Sequence, residues 1–200
     1  MNIYALFPLI ATIAYIPLLL TTAGSRPWQK RNTFFILFLF SAMLWSLIDY
    51  AFRSNYFPQY NILLFKLIVI AFPLMAVQFH CFASTFYGPG QGRWLPFAYF
   101  SLALIILMVG LGYVPESIGI SGDKLYPVYG KWVFIVALPI VILLVRGVHI
   151  LRKRLKTLDN PVLYNQIISI FLGIGALSIF TLASFLPVGR EFPIAHFGNI

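Results

Sequence analysis

NILLFKLIVIAFPLMAVQFHCFASTFYGPGQG, residues 61–92, decides how the rest of the chain is organised. Its apolar part, Ile62 to Tyr87, runs for 26 residues, about 39 Å of helix at ~1.5 Å per residue. That exceeds the ~30 Å hydrocarbon layer of a bilayer, so the segment is expected to span with some tilt or a kink. Pro73 supplies a place for the kink, because it has no N–H to give and its ring crowds the preceding turn. Lys66 is the oddity. A cation in a spanning helix costs roughly 2.5–3.5 kcal/mol at mid-membrane, so it calls for a partner or a water-filled pocket.

Composition agrees with a membrane setting. Hydrophobic residues make up 60% of the chain and charged ones 10%, which leaves no room for a soluble catalytic domain in 200 residues. The net charge of +9 would point to nucleic acid in a soluble protein. Here the basic residues sit between apolar runs and read as topology signals facing anionic lipid, with no nucleic-acid partner expected. One cysteine, Cys81, excludes an intrachain disulfide. Residues 3–20 do not look like a secretory signal, because no Lys or Arg precedes them while Arg26, Lys30 and Arg31 follow.

Outward from the central stretch, the predicted spans are 3–22, 33–52, 62–87, 95–113, 132–150 and 162–186. A seventh run, Phe192 to Ile200, stops after nine residues, so the chain is expected to break off inside a helix. The expected fold is an all-α polytopic membrane bundle, with six complete transmembrane helices and the start of a seventh, forming a single domain over 1–200. Loops 23–32, 88–94 and 146–161 carry nine Lys and Arg, and the alternate loops carry four. This asymmetry puts the first set in the cytoplasm and the N-terminus outside an inner (cytoplasmic) membrane. Trp28 and Trp94 then flank the inner boundary and Trp132 the outer one. The outer loop from Val114 to Gly130 is expected to fold back as a hairpin or a lid.

Asp49 and Lys66 are the first candidates for chemistry. Each lies a few residues below the outer end of its helix, so both fall roughly 6–8 Å below the outer surface. Two readings stay open: an ion pair between neighbouring helices, or Lys66 snorkelling while Asp49 is solvated. Trp45 and His196 complete an outer-side ligand-pocket set. His80, His149 and His196 occur without any HxxxH, ExxH or CxxC spacing, so no metal and no cofactor is expected, and interfacial or hydrogen-bonded histidines are the simpler reading. Ser169 and Gly173 form a small-xxx-small pair for helix packing. No phosphate-binding glycine loop, nucleophile elbow or paired intramembrane carboxylates appear, and no catalytic residue is proposed.

Several of these residues together carry a family likeness. Leu44-Trp45 and Asp49-Tyr50, Phe65-Lys66-Leu67 and Phe72-Pro73, and Phe82 through Tyr87-Gly88 form one part of it. Tyr129-Gly130, and Pro193 with His196, Gly198 and Asn199, form the other. With these motifs the chain resembles the N-terminal seven-transmembrane sensory region of bacterial histidine kinases, which also precedes other signalling outputs. The resemblance implies a sensor input domain of a two-component system. A small-molecule or membrane-state stimulus would pass through the last helix to a cytoplasmic kinase or other signalling module, in cis or in trans, with a homodimer as the usual assembly. The alternative expectation is a small transporter or channel, or a membrane anchor for a partner enzyme.

Overall fold

The computed structural model describes residues 3–86, 94–121, 124–128, 130–157, 161, 164–165, 167–173 and 175. The elements run α1 (Ile3–Gly24), α2 (Lys30–Ser54), a 3-10 turn (Pro58–Tyr60), α3 (Asn61–Ser84), α4 (Leu95–Gly110), β1 (Ser117–Ser121), β2 (Lys124–Val128) and α5 (Val133–Leu155). Helix α2 ends on Asn55, whose φ of 51° is the left-handed conformation that asparagine tolerates at a helix stop. Asn61 Nδ2 then donates to Asn55 Oδ1 at 2.8 Å, tying the start of α3 to the end of α2. So short a connection forces the two helices to run antiparallel.

Four ring contacts set their register: Phe52–Phe65 at 5.5 Å, Trp45–Phe72 at 5.6 Å, Phe38–Phe79 at 5.8 Å and Phe35–Phe82 at 5.0 Å. In each pair a step forward on α2 is matched by an equal step back on α3. The seam is a single aromatic ladder along nearly the whole length of both helices. Aromatic pairs at such separations add about 0.5–1.5 kcal/mol each beyond area burial.

Helix α3 is the centre of the bundle. It packs against α2, α4 and α5, while α1 packs on the outer side of α2. Every residue from Met75 to Ala83 is buried, so over two and a half turns no face of the helix is left outside. Gly147 on α5 makes the closest approach possible, since a Cβ there would lie 2.5 Å from Cε1 of Phe79. Helix α3 continues as an α-helix through Pro73. The hydroxyls of Ser41 and Ser101 donate back to the carbonyls of Leu37 and Phe97, so two buried polar groups are satisfied within their own helices.

Among the described residues four helices are long and apolar enough to cross a membrane: Ala5–Gly24, Lys30–Ser54, Pro58–Ser84 and Val133–Leu155. The expectation of six complete spans and a seventh is thus met in four of them, the first, second, third and fifth, and corrected at the fourth. The fourth run makes a helix of 16 residues, about 24 Å long. Its stop is a Schellman turn: Gly112 takes φ 83°, its N–H bonds the carbonyl of Val109, and the N–H of Tyr113 bonds that of Met108. The sixth run is described only in part, and the seventh, with His196, lies outside the described residues.

The loop after α4 folds back as the expected hairpin, with Ser117 opposite Val128 and Ser121 opposite Lys124, and β1 touches α3. This two-stranded ribbon is the one departure from all-helical structure among the described residues. Ser169 Oγ donates to the carbonyl of Asn165, both Ser169 and Gly173 are exposed, and a Cβ on Gly173 would meet nothing within 4 Å. No described element presses on this small-residue pair.

Gly147 and Gly173 therefore give opposite predictions. Gly147→Ala must displace a buried phenyl ring and is expected to cost about 1–3 kcal/mol, whereas Gly173→Ala is expected to be neutral or mildly stabilising. Thermal unfolding of the two variants in detergent, followed by circular dichroism, checks both.

Candidate functional site

The antiparallel register fixes where the outer-end candidates fall. Asp49 stands level with Ile68 and Lys66 with Ala51, so the two charges differ in depth by two residues, about 3 Å. Asp49 Oδ2 accepts from Arg53 Nε at 2.6 Å, one turn along the same helix. Its carboxylate is buried, and Arg53 reaches over it from a partly exposed position. Lys66 is half-buried and makes no ion pair among the described residues, so the inter-helix pairing with Asp49 is replaced by a local i,i+4 pair. Trp45 is buried against Phe72 as part of the aromatic ladder. Tyr50 and Tyr56 meet edge-on at 6.4 Å near the same end. Of the four pocket candidates, the structure brings Asp49 and Trp45 onto α2 and Lys66 onto the adjoining turn of α3.

A second concentration of polar groups lies at the other end of α3. The run Gln78-Phe79-His80-Cys81 is wholly buried, because α2, α4 and α5 enclose it. Neighbouring helices supply the surroundings. The Tyr99 hydroxyl on α4 lies 4.0 Å from Cys81 Sγ and within reach of the Gln78 amide. Arg146 on α5 lies within electrostatic reach of His80 and places its guanidinium 4.2 Å from the centre of the Trp94 ring. Gln78 Oε1 and His80 Nδ1 are buried without a hydrogen-bond partner.

His80 is thus buried with one ring nitrogen unpartnered, whereas His149 is exposed on α5. Gln78 and Cys81 meet the exposed Tyr99 of α4, while His80 meets the half-buried Arg146 of α5. They offer donors and acceptors rather than a metal cage: among the described residues no three His, Cys, Asp or Glu gather as ligands. What such a cluster can do is exchange partners, since an amide, an imidazole and a phenol each accept or donate according to how they turn.

Charge is distributed along the same axis. Arg26, Lys30, Arg31, Arg146, Arg152, Lys153, Arg154 and Lys156 all belong to the end of the bundle where α1, α3 and α5 finish. Contacts between Arg31 and Phe86 and between Arg146 and Trp94 join the elements there. The described carboxylates, Asp49 and Glu116, lie at the opposite end. No family model, no curated protein and no solved structure matches this chain.

Removing Arg53 while keeping Asp49 leaves a buried carboxylate without its ion partner. Arg53→Gln is expected to destabilise the bundle by about 2 kcal/mol, less than the full cost of breaking a buried pair because Arg53 is partly exposed. Adding Asp49→Asn should restore most of that loss, while Lys66→Gln should cost less than either single change at the pair. Unfolding midpoints of the single and double variants measure the coupling.

Proposed function

We propose that this chain is a membrane-embedded signal-input bundle of the histidine kinase-sensor type, relaying a small-molecule or membrane-state stimulus to a cytoplasmic output module in cis or in trans. The observation that carries the reading is the enclosed polar segment of α3. A buried polar atom without a partner costs about 1–3 kcal/mol. Two of them, Gln78 Oε1 and His80 Nδ1, raise the energy of the present packing by an amount on the scale that separates switchable states. A small rotation or shift of α3 against α4 and α5 offers these atoms new partners, and a stimulus that prefers the shifted packing is thereby transmitted along the bundle.

Two further features support it. Trp45, Phe65, Phe72 and Phe82, among the residues that carry the family resemblance, lie on the ladder between α2 and α3. The basic end, taken as cytoplasmic by the positive-inside rule, is also the end with the strained cluster, which is where a shift has to be delivered. The N-terminus is then outside. A transporter is the second reading, favoured by the buried polar side chains of Gln78 and His80.

The test uses membranes carrying the full gene product. Phosphohistidine formation from labelled ATP is expected, and Gln78→Leu with His80→Phe, which removes both orphaned atoms, should change it at least about fivefold, the effect of ~1 kcal/mol at either group. Absence of phosphotransfer, or phosphotransfer indifferent to the double change, overturns the proposal. Solute movement through liposomes containing the protein selects the transporter instead.

A further inference from the structure

We infer that the basic end of the bundle holds the headgroup of an anionic phospholipid, seated between the start of α2 and the last turns of α5. The guanidinium of Arg31 lies 5.4 Å from the centre of the Phe86 ring. Phe86 belongs to the same apolar cluster as Leu155 and the half-buried Phe34. Arg31 on α2 therefore covers a patch of partly exposed apolar side chains on which Leu155 also packs, and that residue ends the turn of α5 that carries Arg152, Lys153 and Arg154. Against the nine Lys and Arg of loops 23–32, 88–94 and 146–161 the sequence sets a single carboxylate, Asp159.

A ligand complementary to this surface has to be amphiphilic. The rim asks for a phosphate, which arginine binds through paired N–H donors. The patch beneath asks for a hydrocarbon chain at the level where a membrane-length helix ends. Trp28 and Trp94, at the same end, have the interfacial character that keeps this level at the headgroup boundary. A soluble phosphate satisfies the rim and leaves the patch uncovered, and a neutral lipid covers the patch and leaves the cations without a counter-charge. Juxtamembrane arginines gain about 1 kcal/mol each from anionic lipid, so three acting together produce a measurable selectivity. The inference rests on the membrane character of the helices and is independent of any signalling role.

The experiment is native mass spectrometry of the full chain released from mixed micelles with equimolar phosphatidylglycerol and phosphatidylcholine. The expected ratio of phosphatidylglycerol to phosphatidylcholine adducts is about 10 for the unaltered protein. It should fall to below about 2 for Arg31→Gln/Arg152→Gln/Arg154→Gln, while Lys131→Gln, at the opposite end, leaves it unchanged. A ratio near one for the unaltered chain overturns the inference without recourse to any variant. So does an equal fall for Lys131→Gln. Displacement of the bound phosphatidylglycerol by an equal concentration of soluble glycerol 1-phosphate also overturns it, in favour of a site for free phosphate.

Discussion

The structure depends on one constraint: from Met75 to Ala83 α3 is closed in on every side, and the contact that closes it is a phenyl ring against a glycine. In a membrane, burial against a neighbouring helix gains little over burial against lipid, so association relies on fit rather than on hydrophobicity. The Phe79–Gly147 contact supplies that fit on the α5 side, and the ladder of aromatic pairs supplies it on the α2 side. Both use Phe79, which meets Phe38 at a tilt in one direction and fills the notch over Gly147 in the other. A change at this ring is therefore felt by three helices at once.

Once a helix is enclosed in this way, its polar side chains have nowhere to snorkel. Ser41 and Ser101 escape the difficulty by bonding carbonyls in their own helices, a local solution open to short hydroxyl side chains. Gln78 and His80 are too long for it and depend on neighbours. At the opposite end the same problem arises with Asp49 and is solved within one helix, because Arg53 lies a single turn away and can reach both the carboxylate and the helix surface. The two ends differ in kind: one has a charge that is locally satisfied, the other neutral groups whose partners must come from elsewhere.

How much of this was legible in the residues follows from the same distinction. Length and hydropathy are enough to place α1, α2, α3 and α5, because a continuous apolar run needs no knowledge of what surrounds it. The stop of α4 was also written in the chain, as Gly110 and Gly112, but an apolar run continuing to Tyr113 masks a turn that depends on one backbone angle. Asp49 and Lys66 were judged by depth alone, and depth does not say which way a side chain faces. The i,i+4 spacing of Asp49 and Arg53 carried the better signal, since it requires no knowledge of a second helix. For Gln78, His80 and Cys81 no periodicity helps. Adjacent residues on a helix point about 100° apart, and only full enclosure brings all of them indoors.

The two ends of α3 also differ in what a perturbation would do. Near Asn61 the helix is clamped to α2 by the asparagine pair and the Phe52–Phe65 contact, so displacement there has to break specific bonds. Near Ser84 it is held by ring packing and by contact with the basic rim through Phe86. Ring contacts are weakly directional and tolerate sliding better than a short hydrogen bond does. The two ends of α3 are therefore held by different kinds of contact, a hydrogen bond beside a ring pair at one and enclosed ring packing at the other. The Ser84 end has the clustered cations, while buried polar atoms without a hydrogen-bond partner occur toward both ends, Asn61 Oδ1 at the first and Gln78 Oε1 and His80 Nδ1 at the second.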